Sequence, residues 1–238
     1  LDKALQCCER SYTIRKIYYG EENTYTGSAA LNYGLKLIKK CKNANGDIEE
    51  QELEKNLQFA EKLITCTKES KYFSSGNKVR VYLAFGQLYE LRGDLAGNGS
   101  ELSYYEDADF YYKRALKQES FEYEQEGISG NFSFSGIATI LFYRGGLLLK
   151  RSGVRTLVKL AWIHLSMAKR VQIRKNKRSP EHPYVINIDI LLQKCAEKDK
   201  DLLVDVLCDE DYDNYIYKLF EKGEITNEDD LYNWFMRV

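Results

Sequence analysis

The sequence predicts an all-α fold of stacked helical hairpins, with further helices covering its C-terminal end. Apolar side chains recur at i, i+3, i+4 and i+7 along most of the chain, as expected for amphipathic helices. Small residues recur where paired helices would cross, which allows close backbone approach. The 238 residues include only two prolines, and strict apolar–polar alternation is rare, so we expect no sheet.

The N-terminal segment, residues 1–19, has the pattern of the second helix of a hairpin. Ala4, Cys8 and Ser11 occupy small-x3-large-x2-small positions. A complete hairpin is predicted at about 26–67. Gly34 marks the crossing point of its first helix, and the sequence Asn43-Ala44-Asn45-Gly46-Asp47 is typical of a turn.

The hairpin at about 80–118 has the clearest pattern. Its first half reads Tyr82-x2-Phe85-Gly86-x2-Tyr89, and its second half reads Ala108-x3-Tyr112-x2-Ala115. Gly93 is suited to a C-cap, which predicts that the first helix ends there. Ser103 and Glu106 form a capping-box pattern, which predicts that the second helix starts near Tyr104. Residues 95–102 would then be an inserted surface loop.

These motifs resemble the tetratricopeptide repeat, a 34-residue helical hairpin. The resemblance implies that the hairpins stack into a right-handed α-α superhelix with a helical C-terminal cap. A second resemblance, to the repeats of kinesin light chains, rests on Ile14, Arg15, Gly20, Leu31 and Asn32. In that pattern Asn23-Thr24 replaces a His-Pro pair. The resemblance implies a concave groove lined by the first helix of each hairpin, in which a peptide can bind.

A third hairpin is predicted at about 137–175, with Gly146 at the crossing point of its first helix, where Gly145-Gly146 permits close helix approach. The first helix of a fourth hairpin is predicted at 183–198. Residues 121–135 are expected to form a loop. Three short helices at 199–208, 213–221 and 227–238 would cover the end of the array. The predicted domains are therefore a repeat domain at 1–198 and capping helices at 199–238.

Two segments of the chain repeat the same helix-start pattern. Ile14 and Ile173, Glu22 and Glu181, and Tyr25 and Tyr184 are each 159 residues apart. This common offset predicts that the helices after residues 23 and 182 begin in the same way.

The resemblance implies that groove contacts come from the first helices, on the side away from the packing glycines. Ser28 and Ala84 fall on this side, although alanine at position 84 weakens an interpretation as a clamp for a chaperone's C-terminal carboxylate. The partner-binding residues carried over in this way are Asn32, Leu35, Arg80, Leu83, Gln87, Tyr143, Arg144 and Leu147. Asn32 can hydrogen-bond a peptide backbone, while Arg80 and Arg144 can hold a carboxylate.

A basic segment at 169–178 is a second candidate site. Six of its ten residues are Lys or Arg: Lys169, Arg170, Arg174, Lys175, Lys177 and Arg178. Such a segment can bind phosphates or an acidic partner. The alternative is a helix C-terminus whose cations offset the helix dipole. Few aromatic residues lie between the bases, and the net charge is −1, so a nucleic-acid-binding function is less favoured.

The sequence lacks the patterns expected of a catalytic or metal site. It contains no nucleophile elbow, phosphate loop or His-Glu-x-x-His motif, and no Cys-x2-Cys pair. His164 lies within an apolar helix and is expected to be a core residue, and His182 is expected to be structural. We therefore expect no enzyme activity, cofactor or metal.

Most of the six cysteines fall on apolar helix faces, which favours buried, reduced thiols and an intracellular, cytoplasmic location. No segment has the apolar length of a membrane helix. The function expected is a protein-interaction adaptor. The alternatives are a regulatory or substrate-docking helical domain of a larger enzyme, such as the helical region of SET-and-MYND lysine methyltransferases, and a nucleic-acid adaptor.

Overall fold

The computed structural model describes residues 2–44, 48–69, 75–96, 99–126, 134–151, 153, 155–175, 177–200 and 202, and every regular element in them is helical. The all-α prediction is confirmed. The helices are α1 Asp2–Tyr19, α2 Thr24–Lys42, α3 Glu50–Glu69, α4 Ser75–Leu95, α5 Glu101–Glu126, α6 Phe134–Lys150, α7 Arg155–Arg170, a π-helix Val171–Lys175, and α8 Pro183–Lys198. The chain divides into two compact units, Leu1–Gln118 and Glu119–Val238.

In the first unit, α2 and α3 form an antiparallel hairpin, as the sequence predicts. A Cβ placed on Gly34 would lie 3.2 Å from the Ala60 carbonyl oxygen, so the two backbones nearly touch there. Near the other end of the hairpin, the Thr67 hydroxyl donates to the Gly27 carbonyl at 2.8 Å. The crossing glycine at position 34 therefore lies where the small-residue pattern places it.

Helix α4 packs against α3 in the antiparallel direction. The Tyr89 hydroxyl donates to Glu61 Oε1 at 2.8 Å, and Arg92 lies 2.9 Å from the same carboxylate and 3.7 Å from Glu54. Because both neighbours of α3 run opposite to it, α2 and α4 are parallel. Buried residues of all three helices join one apolar core, to which α1 adds Leu5, Cys8 and Tyr12.

Two tyrosine rings of α5 lie directly on glycines of α4. A Cβ on Gly86 would overlap the ring of Tyr112, and one on Gly93 would overlap the ring of Tyr105. Both pairs are seven residues apart on their helices, which sets the antiparallel register of α4 and α5. Gly93 is therefore a packing position; it does not have a positive φ, and the prediction that it ends the helix is wrong.

The predicted inserted loop at 95–102 loses one residue to α4 and two residues to α5. Helix α4 continues to Leu95 and α5 starts at Glu101, which corrects the predicted start near Tyr104. Helix α5 then runs 26 residues to Glu126, into the segment expected to be a loop.

In the second unit, α6 and α7 cross at Gly145. A Cβ there would lie 2.7 Å from Leu165 Cγ and 3.2 Å from the Ala161 carbonyl oxygen, whereas one on Gly146 would meet only Leu191, at 3.6 Å. Helix α7 is held to α8 at both ends. Arg155 pairs with Asp199 through two bonds of 2.8 and 2.7 Å, and Lys169 lies 2.8 Å from Asp189.

Helices α2 and α8 begin with the same cap, as the 159-residue offset predicts. The side chain of Asn23 accepts a hydrogen bond from the backbone N–H of Tyr25 at 2.8 Å. The His182 ring accepts from Tyr184 at 3.1 Å. The prediction that the two segments start helices in the same way is confirmed, and the structural role expected for His182 is that of an N-cap.

Of the predicted capping helices, only residues 199, 200 and 202 are described; the rest lie outside the described residues, and the 198/199 domain boundary stays a prediction. None of the described helices is both long and apolar enough to cross a bilayer.

Candidate functional site

The candidate site lies on the neighbouring parallel helices α2 and α4. Two of the residues predicted from the sequence to line a groove, Asn32 and Arg80, are both exposed, and Arg80 Nη2 donates to Asn32 Oδ1 at 2.8 Å. This contact joins positions 48 residues apart in the chain. The bond occupies one acceptor of the amide and one donor of the guanidinium, so the Asn32 amide NH2 and further Arg80 N–H groups lie beside each other.

The remaining predicted residues of this surface flank the pair. Leu35, Leu83 and Gln87 are each half-buried, as is Ser28, so both apolar and polar groups line the surface. Ala84 is fully buried and is part of the α4 core rather than of this surface. We call the surface formed by Asn32, Leu35, Arg80, Leu83 and Gln87 the α2–α4 face.

Two lysines that the sequence analysis did not single out belong beside this face. Lys36 and Lys39 lie four and seven residues beyond Asn32, which places them on the same side of α2; Lys36 is half-buried and Lys39 is exposed. Helix α2 contains four lysines and no acidic residue. The excess of positive charge along α2 is the sequence signal that could have identified these two lysines.

The structure does not place the predicted residues of the third hairpin together on a comparable surface. Tyr143 is half-buried, but Arg144 is 1% exposed and Leu147 is 0% exposed. The prediction that Arg144 and Leu147 lie on an open groove is wrong. Both were placed by taking Gly146 as the crossing glycine, whereas Gly145 is the residue that contacts α7.

Moving the register by one residue gives a consistent pattern. The residue that follows the crossing glycine is half-buried in all three hairpins: Leu35, Gln87 and Gly146. The matched position of Asn32 is then Tyr143. An aromatic side chain therefore stands in α6 where α2 has an amide.

Arg144 instead forms part of the interior of the α6–α7 hairpin, where its Nη1 lies 2.9 Å from Nε2 of the buried His164. The other ring nitrogen, Nδ1, lies 2.8 Å from the Leu160 carbonyl oxygen. Because arginine can only donate, this geometry fits a neutral ring that donates from Nδ1 and accepts at Nε2. His164 is thus a hydrogen-bonded core residue, as predicted.

The basic segment at 169–178 does not form one continuous surface. Lys169 is 8% exposed and paired with Asp189, so the prediction that it contributes to a phosphate-binding patch is wrong. Arg178 is half-buried, with its guanidinium 5.4 Å from the centre of the Tyr184 ring. Arg170 is half-buried and Lys177 is exposed; the side chains of Arg174 and Lys175 lie outside the described residues.

Elsewhere in the described residues, burial in the helical core raises the pKa of several titratable groups. Burial, followed by the hydrogen bond to Glu61, raises the pKa of Tyr89. Burial raises the pKa of Cys41 to about 11 and that of Cys195 to about 12. Cys7 and Cys66 are exposed and Cys8 is half-buried, so among the five described cysteines the expectation of buried thiols holds for Cys41 and Cys195.

Across the described ranges, no group of three or more His, Cys, Asp and Glu side chains is arranged to hold a metal ion. Comparisons of the chain with protein-family models, with curated proteins and with solved structures find no significant match. The tetratricopeptide relationship therefore stays a prediction from the sequence motifs.

Proposed function

We propose that this chain is a non-catalytic protein-interaction scaffold of tetratricopeptide-like hairpins that binds an extended segment of a partner protein along the α2–α4 face. The partner segment crosses the Asn32–Arg80 pair, which hydrogen-bonds its backbone and one carboxylate. Leu35 and Leu83 contact its apolar side chains. A cytoplasmic location is part of the same proposal.

The observation that carries the proposal is the Arg80–Asn32 contact itself. Two residues chosen from separate helices for peptide recognition lie side by side and open to solvent. An exposed pair of this kind adds little to folding stability. The N–H groups of Arg80 and Asn32 that face solvent can instead donate hydrogen bonds to a ligand that replaces the water around them.

The charges near the face favour a partner segment with acidic residues. Arg80, Lys36 and Lys39 are cationic, and α2 contains no carboxylate to compensate them. Complementary charge speeds association and excludes basic competitors. Binding should therefore weaken as the salt concentration rises.

The first test compares proteins captured from a lysate by the wild-type chain and by the double variant Asn32→Ala/Arg80→Glu. We expect at least one protein partner to be captured by the wild type and lost from the double variant. A peptide from that partner should then bind the Arg80→Glu variant at least about tenfold more weakly, equivalent to roughly 1.4 kcal/mol.

The matched control is Lys194→Glu, which reverses the charge of an exposed lysine on α8. It should leave capture and peptide affinity unchanged, and all variants should melt at nearly the wild-type temperature. Partners retained by the double variant would contradict the proposal. Nuclease-sensitive capture would favour the nucleic-acid adaptor instead.

A further inference from the structure

The hydrogen bond between Arg80 and Asn32 determines which atoms of the pair are left for a ligand. Arg80 Nη2 lies 2.8 Å from Asn32 Oδ1, and because arginine can only donate, the amide turns its oxygen towards the guanidinium. The Asn32 NH2 and the remaining N–H groups of Arg80 are then left for solvent or a ligand. The pair therefore offers mostly hydrogen-bond donors, which suit a ligand group with several acceptor oxygens.

Two lysines of α2 add positive charge beside these donors. Lys36 and Lys39 lie about 6 and 10.5 Å beyond Asn32 along the helix axis, on the same side of α2. Lys40, further round the helix, lies 3.7 Å from Glu52 of α3. Lys36 and Lys39, by contrast, form no ion pair within the described part of the chain. Each ammonium group is carried by a flexible four-carbon chain, so both lysines can turn towards a group bound beside Asn32.

The carboxylates of α4 do not neutralise this positive charge. Residues 80–87 of α4 contain no Asp or Glu, and α2 contains none. Further along α4, Glu90 and Asp94 accept hydrogen bonds of 2.7 and 3.0 Å from tyrosine hydroxyls of α5, so they are directed towards α5 and not towards α2. The name cationic cluster is used below for the group formed by Arg80, Asn32, Lys36 and Lys39.

We propose that the partner segment bound on the α2–α4 face is phosphorylated and that its phosphate binds at the cationic cluster. This inference rests on the peptide-binding function proposed above and specifies the ligand of that function. A phosphorylated side chain carries a charge of about −1.5 to −2 at neutral pH and three strong acceptor oxygens. A carboxylate carries one charge and two oxygens, so it would use only part of the donors and cations of the cluster. Phosphorylation of the partner would therefore switch its binding on.

The residues around the cationic cluster favour a phosphoprotein over a nucleic acid. Leu35 and Leu83 flank the cluster and are half-buried, so apolar side chains next to the phosphate can pack on them. None of the residues that form the α2–α4 face is aromatic, whereas proteins that bind single-stranded nucleic acids stack the bases on aromatic rings. The face therefore suits a single phosphate within an apolar stretch of protein.

The test uses three arrays of short, histidine-free peptides that share the same random flanking sequences. The arrays differ only at the central position, which is phosphoserine, glutamate or serine. We expect the wild-type chain to bind the best phosphoserine peptides at least about tenfold more tightly than their glutamate counterparts, and to bind the serine peptides least.

The pH dependence of binding provides a second measurement on the same peptides. Phosphoserine loses part of its charge near about pH 6, whereas Arg, Lys and Glu keep theirs down to about pH 5.5. Binding of the phosphoserine peptides should therefore weaken several-fold between pH 7.5 and 5.5, while binding of the glutamate peptides should change little.

Two variants locate the phosphate on the protein. Lys36→Gln/Lys39→Gln should remove most of the preference for phosphoserine over glutamate, because the Asn32–Arg80 pair that remains can hold either group. Lys194→Gln is the matched control, since it neutralises an exposed lysine of α8, and it should leave the preference unchanged.

Equal binding of phosphoserine and glutamate peptides, both lost in Arg80→Glu, would overturn the phosphate inference and leave the peptide-binding function standing. A preference for phosphoserine that persists in Lys36→Gln/Lys39→Gln would also overturn it, by locating the phosphate elsewhere. Failure to bind any of the arrays would do the same, whereas the peptide-binding function would still be decided by capture from lysate. Tighter binding of an oligodeoxythymidylate than of any phosphopeptide would replace the inference with a nucleic-acid ligand.

Discussion

At the scale of single residues, Asn23 and His182 show how one position performs the same task with different chemistry. Each side chain accepts a hydrogen bond from the backbone N–H two residues further on, which satisfies a donor that the first turn of a helix leaves unpaired. The residue types differ, so only their common offset from matching neighbours indicated the equivalence. Arg144 shows that a local pattern can also mislead: its side chain was predicted to be exposed, but it is buried against His164.

The shared cap predicts that His182 can be replaced by the residue used at the matching position. His182→Asn should leave the free energy of unfolding within about 0.5 kcal/mol of the wild type, whereas His182→Ala should lower it by about 1 kcal/mol because the cap is lost. Urea denaturation of the three proteins measures the difference. Equal stability of the Asn and Ala variants would show that the ring does not stabilise the helix through capping.

At the scale of the elements, the crossing glycines determine how each hairpin packs. Gly34 and Gly145 lie against the carbonyl oxygens of Ala60 and Ala161, at the same 3.2 Å from an added Cβ. In the α4–α5 pair the neighbour of Gly86 is a tyrosine ring, which a bulkier residue would displace. Because α6 has two adjacent glycines, the sequence left the crossing position uncertain by one residue. Choosing Gly146 placed Arg144 on the surface, whereas the structure buries it.

The register of α6 can be tested with its two neighbouring glycines. Gly145→Ala should lower the free energy of unfolding by about 1–3 kcal/mol, because the new methyl group would press on Leu165 and the Ala161 backbone. Gly146→Ala should be neutral or stabilising by up to about 1 kcal/mol, since it meets only Leu191 and alanine favours the helix. The reverse order of stabilities, measured by denaturant titration, would restore the register centred on Gly146.

At the scale of the whole molecule, burial of weakly acidic groups makes the free energy of unfolding depend on pH in the alkaline range. The pKa of Cys195 is raised to about 12 by burial, and so is that of Tyr184. In the unfolded chain a thiol ionises near pH 8.5 and a phenol near pH 10. Between these values and pH 12 the unfolded state releases protons that the folded state retains, so rising pH favours unfolding.

We therefore expect stability to be constant with respect to these groups below about pH 8.5 and to fall steadily towards pH 12. Urea denaturation at several pH values between 7.5 and 11 measures this dependence. Cys195→Val should make the decline shallower between pH 8.5 and 10, because one of the buried thiols no longer titrates. A free energy of unfolding that does not change up to pH 11 would contradict the prediction.

The sequence by itself determined the helical class, the positions of α1, α2, α3 and α8, and the matching starts of α2 and α8. It also selected Asn32 and Arg80 as separate groove residues, although the contact between them came only from the tertiary structure. These features depend on local patterns: apolar periodicity, caps and isolated crossing glycines. Such patterns act within one or two turns of a helix, so a single sequence carries them in full.

Only the tertiary structure decided which of the adjacent glycines 145 and 146 contacts α7, that Gly93 packs under Tyr105, and that Lys169 pairs with Asp189. Each of these depends on a residue of another helix. A cation at a helix end looks the same in sequence whether a carboxylate of the next helix neutralises it or water surrounds it. Packing between helices therefore removed Arg144, Leu147 and Lys169 from the candidate sites, while Asn32 and Arg80 remained exposed together.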